Sequence, residues 1–139
     1  MLRRLTLSNV RVKSVKVRLN KEMIERLDKA KDRALDLTTQ AILADITSRG
    51  AVPHDTGALE RGSELYKSGY AEKVKECVYA IIYNTPYARR WYFNVDEANF
   101  KRDTSIDHWM DYYLDGEGIQ WVKETYAKFF KQEAGGIIK

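Results

Sequence analysis

The sequence predicts an α+β fold: a long N-terminal helix packed on a small antiparallel β-sheet, then a short helix and a C-terminal amphipathic helix. Three observations carry this prediction. From Lys21 onward a long stretch without Gly or Pro repeats apolar residues at helical steps. Two short strand-like segments lie between residues 63 and 84 and end on Thr85–Pro86. A second helical period runs from Ile119 to the Gly135–Gly136 pair. With 139 residues, 44% of them hydrophobic, the chain suits a single domain spanning 1–139 with a real core.

The first 19 residues are a basic N-terminal arm or edge strand. Within it, "VRVKSVKVRL" (10–19) alternates apolar and basic residues, with a one-residue slip at Lys13–Ser14. That pattern fits a half-buried strand carrying a bulge. The 24 basic and 20 acidic residues of the chain are unevenly divided. Arg3, Arg4, Arg11, Lys13, Lys16, Arg18 and Lys21 supply seven bases and no acid, which leaves 17 bases against 20 acids in the remainder. A basic arm on a mildly acidic body suits an acidic partner or nearby DNA. Such lysines and arginines also protect an edge strand from unwanted pairing.

Asn20 is placed to cap the long helix, which is expected from Lys21 to about Ser48. Met23, Leu27, Ala30, Ala34, Leu37, Ala41 and Ala44 form its stripe, broadened by Ile24, Leu35, Ile42 and Ile46. Gly50 closes it. A helix of about 28 residues spans about 42 Å, long for so small a domain, so its ends overhang the core or meet other copies.

"AVPHDTGALERG" (51–62) reads as a loop into a short helix capped by Asp55 or Thr56. Strands are then expected near 63–70 and 76–84. Apolar residues on both faces of the second predict an interior strand covered on each side, with Cys77 as a buried, reduced thiol. Pro86 ends it. Residues 94–103 read as a loop. "TSIDHWMDYYL" (104–114) reads as a short amphipathic helix that begins at Thr104, with Asp107 completing a capping box. In the last helix, Ile119, Val122, Tyr126, Phe129 and Phe130 share a face. Trp121 falls nearly opposite, as a candidate interface residue or one packed under a loop.

Signals for chemistry are sparse. There is no nucleophile elbow, phosphate-binding loop or dinucleotide-type glycine pattern, so no catalytic residue, cofactor or metal is expected. No run approaches a membrane span, and the basic start lacks an apolar core of the secretory kind. Asp107, His108 and Asp111 are the one constellation suited to a metal-dependent hydrolase; solvated charges on a helix are the plainer account. Arg89 and Arg90 beside tyrosines, with the basic arm, suit nucleic-acid binding, but no recognisable nucleic-acid module accompanies them. Arginine and aromatic residues together are also what buried protein interfaces use, and Tyr87, Arg89, Arg90 and Trp91 in "NTPYARRWYF" have that composition.

Two elements carry a family resemblance. One is the turn Pro53-His54-Asp55-Thr56-Gly57-Ala58-Leu59. The other is Tyr83-Asn84-Thr85-Pro86-Tyr87-Ala88-Arg89. At this separation, after a long helix, the pair resembles the minor capsid and head–tail joining (neck, tail-completion) proteins of long-tailed bacteriophages and prophages. The resemblance covers roughly residues 20–134. It implies a non-enzymatic virion protein that assembles as a ring in the neck, between the DNA-filled head and the tail. Its partners would be the adjoining connector, stopper and tail proteins and other copies of itself, in a ring that forms in solution or only in the virion from a chain monomeric when isolated. It would pass through the host cytoplasm during assembly.

Overall fold

The structure is a computed structural model that describes residues 20–54, 57–94 and 99–135. The basic arm, Asp55, Thr56 and Gly136 lie outside these. The described residues form the expected α+β architecture. In chain order the elements are α1 (Lys21–Arg49), α2 (Ala58–Arg61), β1 (Tyr70–Lys75), β2 (Val78–Ile82), α3 (Ala88–Phe93), α4 (Asp111–Leu114) and α5 (Ile119–Glu133).

Helix α1 starts and stops where its local chemistry requires. The Asn20 side chain accepts from the Met23 amide at 3.2 Å, satisfying one of the orphan donors of the first turn. Gly50, at φ 63°, returns its amide to the carbonyls of Ile46 and Thr47. The apolar stripe needs correction. Ala44 is exposed, whereas Thr38 and Thr39 are buried. Their hydroxyls donate to the Ala34 and Leu35 carbonyls, each at 2.7 Å. A threonine satisfied by its own helix is buried at little cost.

Against α1 pack the β1–β2 hairpin and α5. The hairpin is antiparallel, pairing Tyr70 with Ile82 and Lys73 with Tyr79, with a bulge between Lys73 and Lys75. The first strand thus begins where the expected one ended. In 63–69 the Ser63 hydroxyl instead accepts from the amides of Leu65 and Tyr66, and local side-chain bonds of this kind compete with a strand ladder. Nor is β2 an interior strand: among the described residues it pairs with β1 alone, and Val78 is exposed. Cys77 is an exposed thiol in the hairpin turn, at φ 56°, and not a buried strand residue.

One carboxylate fastens this hairpin to α1. Asp32 accepts from the Lys73 ammonium at 2.8 Å, the Cys77 amide at 2.9 Å and the Tyr79 hydroxyl at 3.0 Å. The Lys73 bond, then the Cys77 amide, hold its carboxyl below the ordinary value of 3.8. A carboxyl that releases its proton more readily when folded stabilises the fold above that ordinary value; the contribution is lost as pH falls through the lower folded one. We therefore expect acid to loosen the hairpin turn from α1 in the parent and Asp32→Asn to loosen it already at neutral pH. Amide exchange at Cys77 measures both, and an Asp32→Asn chain with parental Cys77 exchange at neutral pH would refute the anchor.

The core lies at the C-terminal end of α1. Ile46, Ala51, Val52, Leu59, Ala88, Trp109 and Tyr113 form one buried cluster, with Ile42, Tyr83, Trp91, Tyr92 and Val122 packed on it. The expected helix over 104–114 is reduced to α4, because His108 adopts φ 45° and interrupts it. No helix begins at Thr104 for it to cap, and its hydroxyl donates to the Gly50 carbonyl at 2.9 Å. Helix α5 follows its expected limits, yet none of its residues is fully buried.

Candidate functional site

Three segments close around a surface cleft of about 540 Å³. Pro53, His54 and Gly57 come from the turn leading into α2, and Leu59 from α2 itself. Tyr87, Arg90 and Trp91 come from α3 and its start, and Phe100 and Lys101 from the following loop. Pro53, His54, Gly57 and Leu59 of the first element that carried the family resemblance and Tyr87 of the second, distant in sequence, therefore line one depression.

Each wall has a local cause. Pro86 cannot extend a strand, and the Ala88 amide returns to the Thr85 carbonyl at 3.1 Å, turning the chain into α3. One helical turn then sorts the run "ARRWYF". Ala88 is buried, Trp91 and Tyr92 are half-buried, and Arg89, Arg90 and Phe93 are exposed. Trp91 leans on Phe100 with ring centroids 5.6 Å apart. On the opposite wall, Gly57, at φ 86°, begins α2 with no side-chain cap. Gly57 thus occupies the cap position expected of Asp55 or Thr56.

The opposite wall is held by a latch that sequence reading missed. Arg102 donates to the Val52 carbonyl at 2.7 Å and to Glu60 at 3.4 Å. Ser105 donates to the Val52 carbonyl at 3.1 Å, and the Ile106 amide to that of Ala51 at 2.9 Å. Glu60 is only 6% exposed. Removing Arg102 would strand that carboxylate without its cation, and breaking a buried pair costs about 3–5 kcal/mol. Arg102 is itself 35% exposed, so Arg102→Ala should cost roughly 2 kcal/mol after allowance for solvent screening. Denaturant unfolding should show most of this recovered in Arg102→Ala/Glu60→Gln; no recovery would place the cost elsewhere.

Of the other residues singled out from sequence, Thr85 is buried behind α3 and Pro86 is exposed beside it. Arg89 projects past the cleft, with its guanidinium 5.9 Å from the Phe93 ring. Trp121 lies elsewhere: its ring meets Tyr113 at 6.0 Å and remains 36% exposed. Tyr92, not singled out before, ties the back of α3 to the core. It packs edge-on against Trp109 at 4.8 Å and donates to Asp111 at 2.5 Å. Burial, and then this bond, make its hydroxyl harder to ionise than an ordinary tyrosine. Tyr113 is pushed up to about 12 by burial and by the carboxylate of Asp45, to which it donates. An Ala88–Tyr92 pair at i, i+4 was the available signal for α3, a segment to which the sequence alone had assigned no element.

The Asp107, His108 and Asp111 constellation is not assembled as a metal site. His108 Nδ1 lies 3.3 Å from Asp107, and its ring packs on Tyr92 and Phe93. Asp111 accepts from Tyr92. Among the described residues no three His, Cys, Asp or Glu side chains converge as metal ligands, and no helix is long and apolar enough to cross a membrane. No family model, curated protein or solved structure matches the chain.

Proposed function

We propose that the chain is a structural subunit of a phage or prophage neck, which assembles as a ring and helps join the DNA-filled head to the tail. It acts by contact and carries out no covalent chemistry. The observation that supports this reading is the convergence of Pro53, His54, Gly57 and Leu59 with Tyr87, Arg90 and Trp91 on one cleft. There a half-buried tryptophan, a tyrosine 39% exposed and an exposed arginine stand together. Large aromatic surface with polar tips and a planar guanidinium is the composition of binding hot spots.

The test is replacement of Tyr87, Arg90 and Trp91 by serine in a phage or prophage that encodes the chain. The variant should keep its circular dichroism spectrum, while heads and tails accumulate unjoined and infectious particles are lost. Fully joined virions from a chain bearing all three changes would end the proposal. Residues 1–18, outside the described region, are proposed to meet an acidic neighbouring ring or the DNA channel. Their deletion should reduce the salt sensitivity of assembly. The seven bases of residues 1–21 also favour a second reading, nucleic-acid binding. Submicromolar binding to nonspecific DNA that weakens steeply with salt would support that one instead.

A further inference from the structure

The hairpin has two outer edges, and they are unlike. β1 carries Glu72, Lys73 and Lys75 and is exposed from Glu72 onward. Charges of this kind keep a bare edge from pairing with a stray strand. β2 reads VYAII, with no charge at all, and is half-buried from Tyr79 to Ile82. Among the described residues its only ladder partner is β1. The far edge of an uncharged strand rich in β-branched residues is a template that another strand joins. One other part of the chain has the pattern of a strand. Residues 10–19 alternate apolar and basic residues and run directly into Asn20, the cap of α1.

Helix α1 sets where that segment can reach. The Cys77 end of the hairpin is fastened to Asp32. Just past the other end of β2, Tyr83 packs on the cluster that holds Ile46. β2 therefore runs in the same sense as α1, and Asn20 lies beyond the Cys77 end. Asn20 precedes Asp32 by twelve residues, about 18 Å along a helix. Ten extended residues reach about 33 Å, which leaves about 15 Å to lie beside β2, close to that strand's own length. We propose that residues 10–13 of the same chain add to the far edge of β2 as a third strand, antiparallel to it, and that residues 14–19 return along α1 to Asn20. The slip at Lys13–Ser14 then falls where the segment leaves β2. Alternation turns Val10 and Val12 toward α1 and Arg11 and Lys13 toward solvent, where a negative partner can meet them. The tether at Asn20 favours this occupant over the same segment of a second copy, because it holds the strand near the edge at a high effective concentration.

Nuclear Overhauser contacts in the full chain test this, with isotope-labelled and unlabelled chains mixed so that contacts within a chain and between chains are told apart. Backbone contacts between residues 10–13 and 78–82 are expected within one chain, in antiparallel order. Amide exchange gives a second reading. Val10→Asp/Val12→Asp should speed exchange at the β2 amides that point away from β1 by at least about tenfold, and leave those shared with β1 at parental rates. Arg11→Asp/Lys13→Asp places the same acids on the other side of the strand and should leave both sets within about twofold of the parent. The proposal is overturned if the contacts are absent from the parent, run in parallel order, or occur only between chains. It is also overturned if the valine variant exchanges like the parent, or if both variants accelerate equally. The contact does not depend on the neck reading: joined virions from the serine triple variant would end that reading and leave this one standing.

Discussion

Trp109→Ala should produce the largest loss of stability of any single side-chain truncation in this chain. Trp109 is 1% exposed and stands between the Tyr83 ring at 5.4 Å and the Tyr92 ring at 4.8 Å, both met edge-on. Ile46, Val52, Leu59 and Tyr113 complete the cluster around it. Truncating a buried tryptophan costs about 3–5 kcal/mol, since surrounding atoms collapse only partly into the space. That is a large part of the roughly 5–15 kcal/mol that holds a whole domain together. The urea midpoint, followed by far-ultraviolet circular dichroism, should fall by roughly 2 M, taking an ordinary slope for a small domain. Trp109→Phe should be milder: it keeps an aromatic ring and removes a buried indole N–H that has no hydrogen-bond partner among the described residues. A midpoint for Trp109→Ala within about 0.5 M of the parent would show that the centre of the core lies elsewhere.

Gly69→Ala should come close to the same loss for a different reason. Gly69 sits at φ 67°, and a Cβ added there would lie 1.7 Å from the Glu60 carbonyl oxygen. That oxygen is backbone at the end of α2, and a flexible side-chain tip would have been easier to displace. The neighbouring Ser68 hydroxyl donates to the Leu59 carbonyl at 2.6 Å, and the Gly69 amide to that of Ile82 at 2.8 Å. A shift at residue 69 therefore pulls α2 from the start of the hairpin. The left-handed backbone alone costs an L-residue roughly 1–2 kcal/mol. With the displacement added we expect about 3–4 kcal/mol in denaturant unfolding. Gly69→Asn separates the two causes, because asparagine tolerates the left-handed region but brings the same Cβ. If asparagine restored parental stability, the steric part of this account would be wrong.

The elements set by neighbours in sequence were legible without the tertiary structure. Helix α1 could be bounded from Asn20 and Gly50, and α5 from its apolar period and the glycines after it. The places where that reading failed share one property. Cys77 alternates in sequence with β2, yet the hairpin turn begins one residue earlier and leaves it outside. The capping-box spacing at Thr104 is genuine, but the left-handed backbone at His108 leaves no helix for it to cap, and its hydroxyl donates to the distant Gly50 carbonyl. Asp32 reads as one more charge on a helix until the hairpin supplies three donors to it.

For the candidate site, composition singled out Tyr87, Arg90 and Trp91, and the family resemblance singled out Pro53, Gly57 and Leu59. That they share a cleft, and that Trp121 stands apart from it, depended on the tertiary structure. Sequence by itself determined the long helix, the last helix and the α+β class, because caps and periodicity act over a few residues. Tertiary structure decided the cleft, the hairpin anchor and the Arg102 latch, and the side-chain bonds of the last two join residues 41 to 53 positions apart. Such contacts form only after chain entropy has been overcome by burial elsewhere, and no local pattern records which distant partner will be met.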